Sequence, residues 1–211
     1  MEYYDELEQN QVNEPTTDKF SQAFSKYNMN VDSAWVKSVI EKAKKEILSG
    51  GDKETLKKIF SCIDLTTLKP TDNEDTVLAF VEKVNKMEDN YPDIPSVASI
   101  CVYPCFAQIV SRSLEVENVK TCCVSGGFPS AQTFFEVKVA ETSLAIHDGA
   151  DEIDIVQNAG RILNEDYETL AEETDELKAV CADKTLKVIL ETGALGTLDN
   201  VKKAALIAMY S

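Results

Sequence analysis

Five short apolar runs alternate with five helix-like segments along most of the chain, and this alternation leaves few folds open. The runs lie at 59–65 (IFSCIDL), 96–103, 119–125, 151–156 and 185–190. Between and after them come 74–87, 104–115, 132–148, 165–183 and 198–210, where apolar residues recur every three or four positions, as in Val77, Phe80, Val81 and Val84. Strand then helix about every 30–35 residues is the pattern of parallel βαβ units. Near-continuous Val, Ile and Cys suits a sheet covered on both faces. The expected class is α/β, and either an open doubly wound sheet or a closed barrel satisfies it. No G-x-G-x-x-G follows the first run, which removes the best sign of a dinucleotide fold. Ser125-Gly126-Gly127 reads first as a turn at a strand end, with phosphate binding as the minority alternative.

Before this region the pattern differs. Residues 1–30 are polar and weakly periodic, which predicts a flexible tail. Asp32 or Ser33 can cap a helix running to about residue 48, with Trp35, Val36, Val39, Ile40 and Ile47 along one side and Gly50-Gly51 to end it. A second short helix is expected near 53–59. Residues 31–58 are therefore expected to form helices covering the bottom of a barrel, and 59–211 the βα units.

The informative residues are polar ones inside the apolar runs. In DEIDIV, side chains 152, 154 and 156 share one face of a strand and Ile153 and Ile155 the other. In TLKVILE, Lys187, Ile189 and Glu191 oppose Leu186, Val188 and Leu190. Cys62, Asp64 and Thr66 would share a face of the first strand, and Ser99, Cys101 and Tyr103 a face of the second. If the apolar faces meet helices, Asp154 and Lys187 point together to the other side. A charge taken from water costs several kcal/mol unless paired. The two groups could simply neutralise one another, or lie at a strand end in water. A carboxylate beside an amine is also how proton relays are built, and ionisable groups gathered near strand C-termini are how barrel active sites are built.

Charge and cysteine usage exclude several classes. Lys and Arg total 21 against 37 Asp and Glu, a formal charge of −16 that would repel nucleic acid. A small anionic substrate remains compatible. No apolar run approaches the roughly 20 residues of a spanning helix, and MEYYDELEQNQ lacks the features of a signal peptide, so no membrane partner and a cytoplasmic location are expected. The six cysteines suit reduced thiols better than a disulfide framework. Cys101-x-x-x-Cys105, Cys122-Cys123 and the lone His147 make no zinc signature, so no metal is expected.

Ile63-Asp64-Leu65-Thr66-Thr67-Leu68, then Ala98-Ser99-Ile100-Cys101-Val102-Tyr103-Pro104, Phe128-Pro129, Ala140-Glu141-Thr142, GADEIDIV at 149–156 and LKVILETG at 186–193 follow one another in order. Together, over about 59–210, they resemble the deoxyribose-phosphate aldolase family. The resemblance implies a (β/α)8 TIM barrel and a lyase that reversibly cleaves 2-deoxyribose 5-phosphate to glyceraldehyde 3-phosphate and acetaldehyde. It implies a lysine Schiff base with no cofactor and a phosphorylated sugar as partner; a homo-oligomer is compatible with the sequence and is not specified by it. Asp154 matches the family's proton-shuttling aspartate. Lys187, Cys101, Asp64 and Thr66 match residues around the substrate. The family's Schiff-base lysine lies at the end of its sixth strand, whereas the fifth helix-like segment here reaches Tyr210 and the sequence ends at Ser211. The expectation is therefore the first five units of a barrel, inactive as written. The alternative is a non-catalytic homologue that binds a partner.

Overall fold

The computed structural model describes residues 19–48 and 50–211. Helices α1 (Lys19–Ser25), α2 (Ser33–Leu48) and α3 (Lys53–Phe60) precede β1 (Asp64–Thr66). Then follow α4 (Glu74–Asn85), α5 (Met87–Asn90), β2 (Ser99–Val102), a 3-10 turn (Pro104–Phe106), α6 (Ala107–Ser113), β3 (Lys120–Ser125) and α7 (Phe135–His147). The chain continues through β4 (Glu152–Val156), α8 (Ala159–Leu163), α9 (Tyr167–Cys181), β5 (Thr185–Ile189), a second 3-10 turn (Thr192–Ala194) and α10 (Leu198–Tyr210). Among the described residues, five strands form one parallel sheet in sequence order, β1-β2-β3-β4-β5. The α/β class expected from the alternation is the observed one.

Local chemistry explains the helix boundaries. At the start of α4, the Asn73 side chain accepts from Thr76 N at 3.1 Å, and Thr76 Oγ1 accepts from Asn73 N at 2.9 Å. That reciprocal cap satisfies two orphan donors. The helix then turns Val77, Val81 and Val84 inward, all fully buried. Each such side chain contributes about 1.5–3 kcal/mol by leaving water. They meet Ile100, Val102, Cys123, Ile153 and Ile155 from the sheet, and Ala145, Leu177 and Cys181 from the later helices. This helix-facing core is the apolar face that strand alternation predicts. A second core joins Phe20 of α1 to Tyr167, Leu170 and Ala171 of α9 and to Ala204 and Ile207 of α10. Gly149, at φ +104°, leads into β4 against Ser111, where a Cβ would collide.

Several sequence expectations need correction. The first run was expected to be a strand from residue 59, yet α3 continues to Phe60. Its Asp52 cap accepts from Thr55 N at 2.8 Å, and KETLKKIF keeps helical spacing, so only Asp64–Thr66 pairs. The flexible tail was placed over 1–30. Residues 1–18 lie outside the described residues, but from Lys19 the chain is helical, and Phe20 is buried against α9 and α10. The helices expected over 31–58 are present as α2 and α3. Their apolar side chains, including Trp35, Val39, Ile40, Leu56 and Ile59, are exposed rather than packed under the sheet. Helix α8 was not foreseen; Asn158 caps it by accepting from Arg161 N.

The sheet is strongly curved. Four inter-strand steps of about 4.8 Å would hold the edge strands roughly 19 Å apart if the sheet were flat. That is farther than a lysine and an aspartate can bridge. Lys187 Nζ on β5 nevertheless lies 2.7 Å from Asp64 Oδ2 on β1. The concave face is therefore shared by both edge strands.

Candidate active site on the concave face

Strand register decides which side chains face inward. Asp64 pairs with Ser99, Thr66 with Cys101 and Cys101 with Cys122. Cys122 pairs with Glu152, Val124 with Asp154 and Asp154 with Lys187. Because alternate side chains share a face, these residues line the concave side together. Four of the five residues singled out in the sequence meet there through direct contacts: Asp154, Lys187, Asp64 and Cys101.

Lys187 is the hub. Its ammonium lies 2.7 Å from Asp64, 3.1 Å from Glu152 and 3.1 Å from Asp154, drawing in carboxylates from β1 and β4. Partial burial disfavours the charged amine. The Asp64 hydrogen bond, joined by Glu152 and Asp154, more than offsets this and holds its pKa above the ordinary lysine range. Burial also pushes the Asp64 carboxyl upward, but hydrogen bonds from Lys187 and from Ser99 Oγ at 2.7 Å bring its pKa below the usual value. An amine held protonated in this way is a charge and a donor, not a free nucleophile.

Asp154 uses its two oxygens differently. Oδ1 is buried and faces the Lys187 ammonium as an ion pair without hydrogen-bond geometry. Oδ2 takes the weak Cys101 Sγ donor at 3.9 Å. Cys101 and Cys122 lie beneath, buried against Val124, Leu68, Tyr103 and Phe128. The hydrogen bond between the two thiols lowers the pKa of Cys101 and, with burial, raises that of Cys122. Thr66 donates to the Asp64 carbonyl at 2.9 Å, so its hydroxyl is turned to its own strand beside Cys101. At the exit of β3, Glu141 accepts from Gly127 N at 3.0 Å and ties the glycine pair to α7.

Sequence reasoning put Glu152 and Ser99 on the correct faces without naming them as part of the site. The signal was present, since each lies two residues before a named neighbour. Glu191, expected to share the Lys187 face, falls beyond β5 in a left-handed conformation and is exposed. Cys122 carried no such signal, because it meets Cys101 only through strand register.

The family described as DeoC/LacD family aldolase matches residues 58–209, which spans every strand of the sheet. The chain belongs to this family. Deoxyribose-phosphate aldolases of Homo sapiens and Bos taurus are each 37% identical to it over 166 residues, covering 74% of this chain and 52% of theirs. Among solved structures, the aldolase QR15 is 33% identical with a TM-score of 0.63, over 71% of this chain and 62% of that one. The chain thus spans about half the length of the mammalian aldolases it matches. Among the described residues no helix is long and apolar enough to cross a membrane.

Proposed function

We propose that this chain supplies the proton-transfer side of a deoxyribose-phosphate aldolase site, and that its five strands are the first five of a (β/α)8 barrel. The observation that carries this reading is the Lys187 ammonium gripped by Asp64, Glu152 and Asp154 on the concave face of the sheet. A structural ion pair needs one partner, whereas three carboxylates and two thiols converging there form a reactive surface. That convergence favours the enzyme over the non-catalytic alternative. In this reading Asp154 moves the proton on the carbon fragment, and Lys187 fixes the Asp154 carboxylate from its Oδ1 side. Asp64 holds Lys187 in place, while Cys101 and Thr66 line the floor and wall. The imine is formed by a lysine other than Lys187, because the three carboxylates keep the Lys187 amine protonated. The substrate is a small phosphorylated sugar.

The test is a fusion of this chain to the C-terminal units of a related aldolase, which supply the Schiff-base lysine. It is assayed for acetaldehyde release from 2-deoxyribose 5-phosphate. Turnover is expected, with a fall on the order of 10²–10⁴-fold in Asp154→Asn, which keeps the shape but cannot exchange the proton. A folded, silent fusion, or one indifferent to Asp154→Asn, would remove the proposal. The 211 residues alone should form no borohydride-trapped adduct with acetaldehyde at Lys187.

A further inference from the structure

We propose that Cys101, Cys122 and Asp154 form a site for one thiophilic divalent cation, Zn²⁺ or Cd²⁺, on the concave face of the sheet. Their ligating atoms all lie within 4.8 Å of one another, contributed by three successive strands. The Cys101 Sγ to Asp154 Oδ2 edge is 3.9 Å. With metal–sulfur bonds of about 2.3 Å and metal–oxygen bonds of about 2.0–2.2 Å, the edges of a tetrahedron are roughly 3.5–3.8 Å. Small side-chain rotations therefore suffice to close three corners, leaving the fourth for water. Two thiolates select a soft ion over Mg²⁺ or Ca²⁺.

The surroundings suit the ion. Lys187 pins Asp154 through Oδ1 and leaves Oδ2 turned toward the thiols, as outer partners orient metal ligands. Val124, Leu68, Tyr103 and Phe128 give the sulfurs an apolar wall. Binding replaces two S–H bonds by two metal–sulfur bonds and releases two protons to water. One dication thus takes the place of two protons, and the local charge is unchanged. The carboxylate rim is the entrance, because Asp154 and Lys187 side chains are 15% and 31% exposed while the thiols are buried. Sequence spacing predicted no metal because it compared cysteines along single segments, where Cys101 and Cys122 never appear as a pair. An occupied site would also engage Asp154 Oδ2 and block proton transfer, a consequence that alone rests on the aldolase reading.

The experiment uses the chain itself, without a turnover assay. Cd²⁺ is titrated in while the ultraviolet thiolate-to-cadmium absorption is recorded, and the Zn²⁺-loaded chain is examined by X-ray absorption. Binding of one ion per chain is expected, with two sulfurs at about 2.3 Å and lighter atoms completing the shell. The absorption should vanish in Cys122→Ala, and affinity should fall about 10–100-fold in Asp154→Asn. A Cys62→Ser/Cys105→Ser variant, altering the two exposed thiols, should behave as the parent. An X-ray spectrum with only light-atom ligands, or loss of the signal in the exposed-thiol variant, would overturn the site. Both readouts remain decisive even if Cys122→Ala does not fold.

Discussion

The two faces of the sheet are built from the same five strands and obey opposite rules. Toward the helices stand Ile100, Val102, Cys123, Ile153 and Ile155, all buried and apolar. Toward the concave side stand Asp64, Ser99, Cys101, Glu152, Asp154 and Lys187, joined by ion pairs and hydrogen bonds. Adjacent residues such as Ile153 and Asp154 therefore do different work. The convex face holds the units together by burial, while the concave face keeps charges poised near one another at some cost in desolvation. On the convex face even a thiol is tuned differently: burial pushes Cys123 up to about 12, so it behaves as a small apolar side chain.

The largest expected difference is between neighbours. Ile153→Ala should cost about 2–5 kcal/mol, because it opens a cavity between β4 and its covering helices. Asp154→Asn keeps its volume and leaves Lys187 two other carboxylates, so its cost in stability should stay within about 1 kcal/mol. Urea unfolding of both variants at constant slope measures this directly. Equal costs at the two positions would erase the distinction between the faces.

Lys187→Met probes the concave face alone. It strands Asp64, Glu152 and Asp154 as three neighbouring carboxylates. A fully buried pair would lose about 3–5 kcal/mol, but these side chains keep partial access to water, so about 1–2 kcal/mol is expected at neutral pH. The pH dependence should change sign. In the parent, the lowered Asp64 pKa gives stability that is present above its ordinary value of about 3.9 and is lost as pH falls through the folded value. The raised Lys187 pKa gives stability that is full below about 10.4 and is lost as pH rises through the folded value. In Lys187→Met the carboxylates repel one another and take up protons more readily when folded, so acidification should recover stability. Thermal melts at several pH values check this. A variant that loses stability on acidification as the parent does would show that the triad is not coupled through Lys187.

How much of this was legible follows from the length scale of each signal. Strand alternation is local, so Ile153 against Asp154 and Leu186 against Lys187 could be assigned from the sequence, and with them most of the site. Contacts made by register are not local. The β5-to-β1 bridge between Lys187 and Asp64, 123 residues apart, and the Cys101–Cys122 pair both depend on how far the sheet curves. The end of α3 departs from its local pattern for a different reason. Ile59 and Phe60 are good strand formers, but the Asp52 cap commits the segment to helix before they are reached.

The smallest expected effect tests the one place where apolar patterning and burial part company. In α2 the spacing of Trp35, Val39, Ile40 and Ile47 gives a clear stripe, the usual mark of a helix packed on a core. In the structure these side chains are 62%, 45%, 47% and 74% exposed. Trp35 borders an open cavity of about 450 Å³ beside Leu198, Val201 and Ala205 of α10, a shallow neighbour and not a core. Hydrophobic stabilisation scales with area removed from water, so a tryptophan left mostly exposed contributes little. Trp35→Ala should therefore shift stability by no more than about 0.5 kcal/mol, with an unchanged denaturant slope. The same substitution at a buried tryptophan would cost about 3–5 kcal/mol. A loss of that size would mean that the stripe is covered in solution, and α2 would then join the convex face as part of what the fold buries.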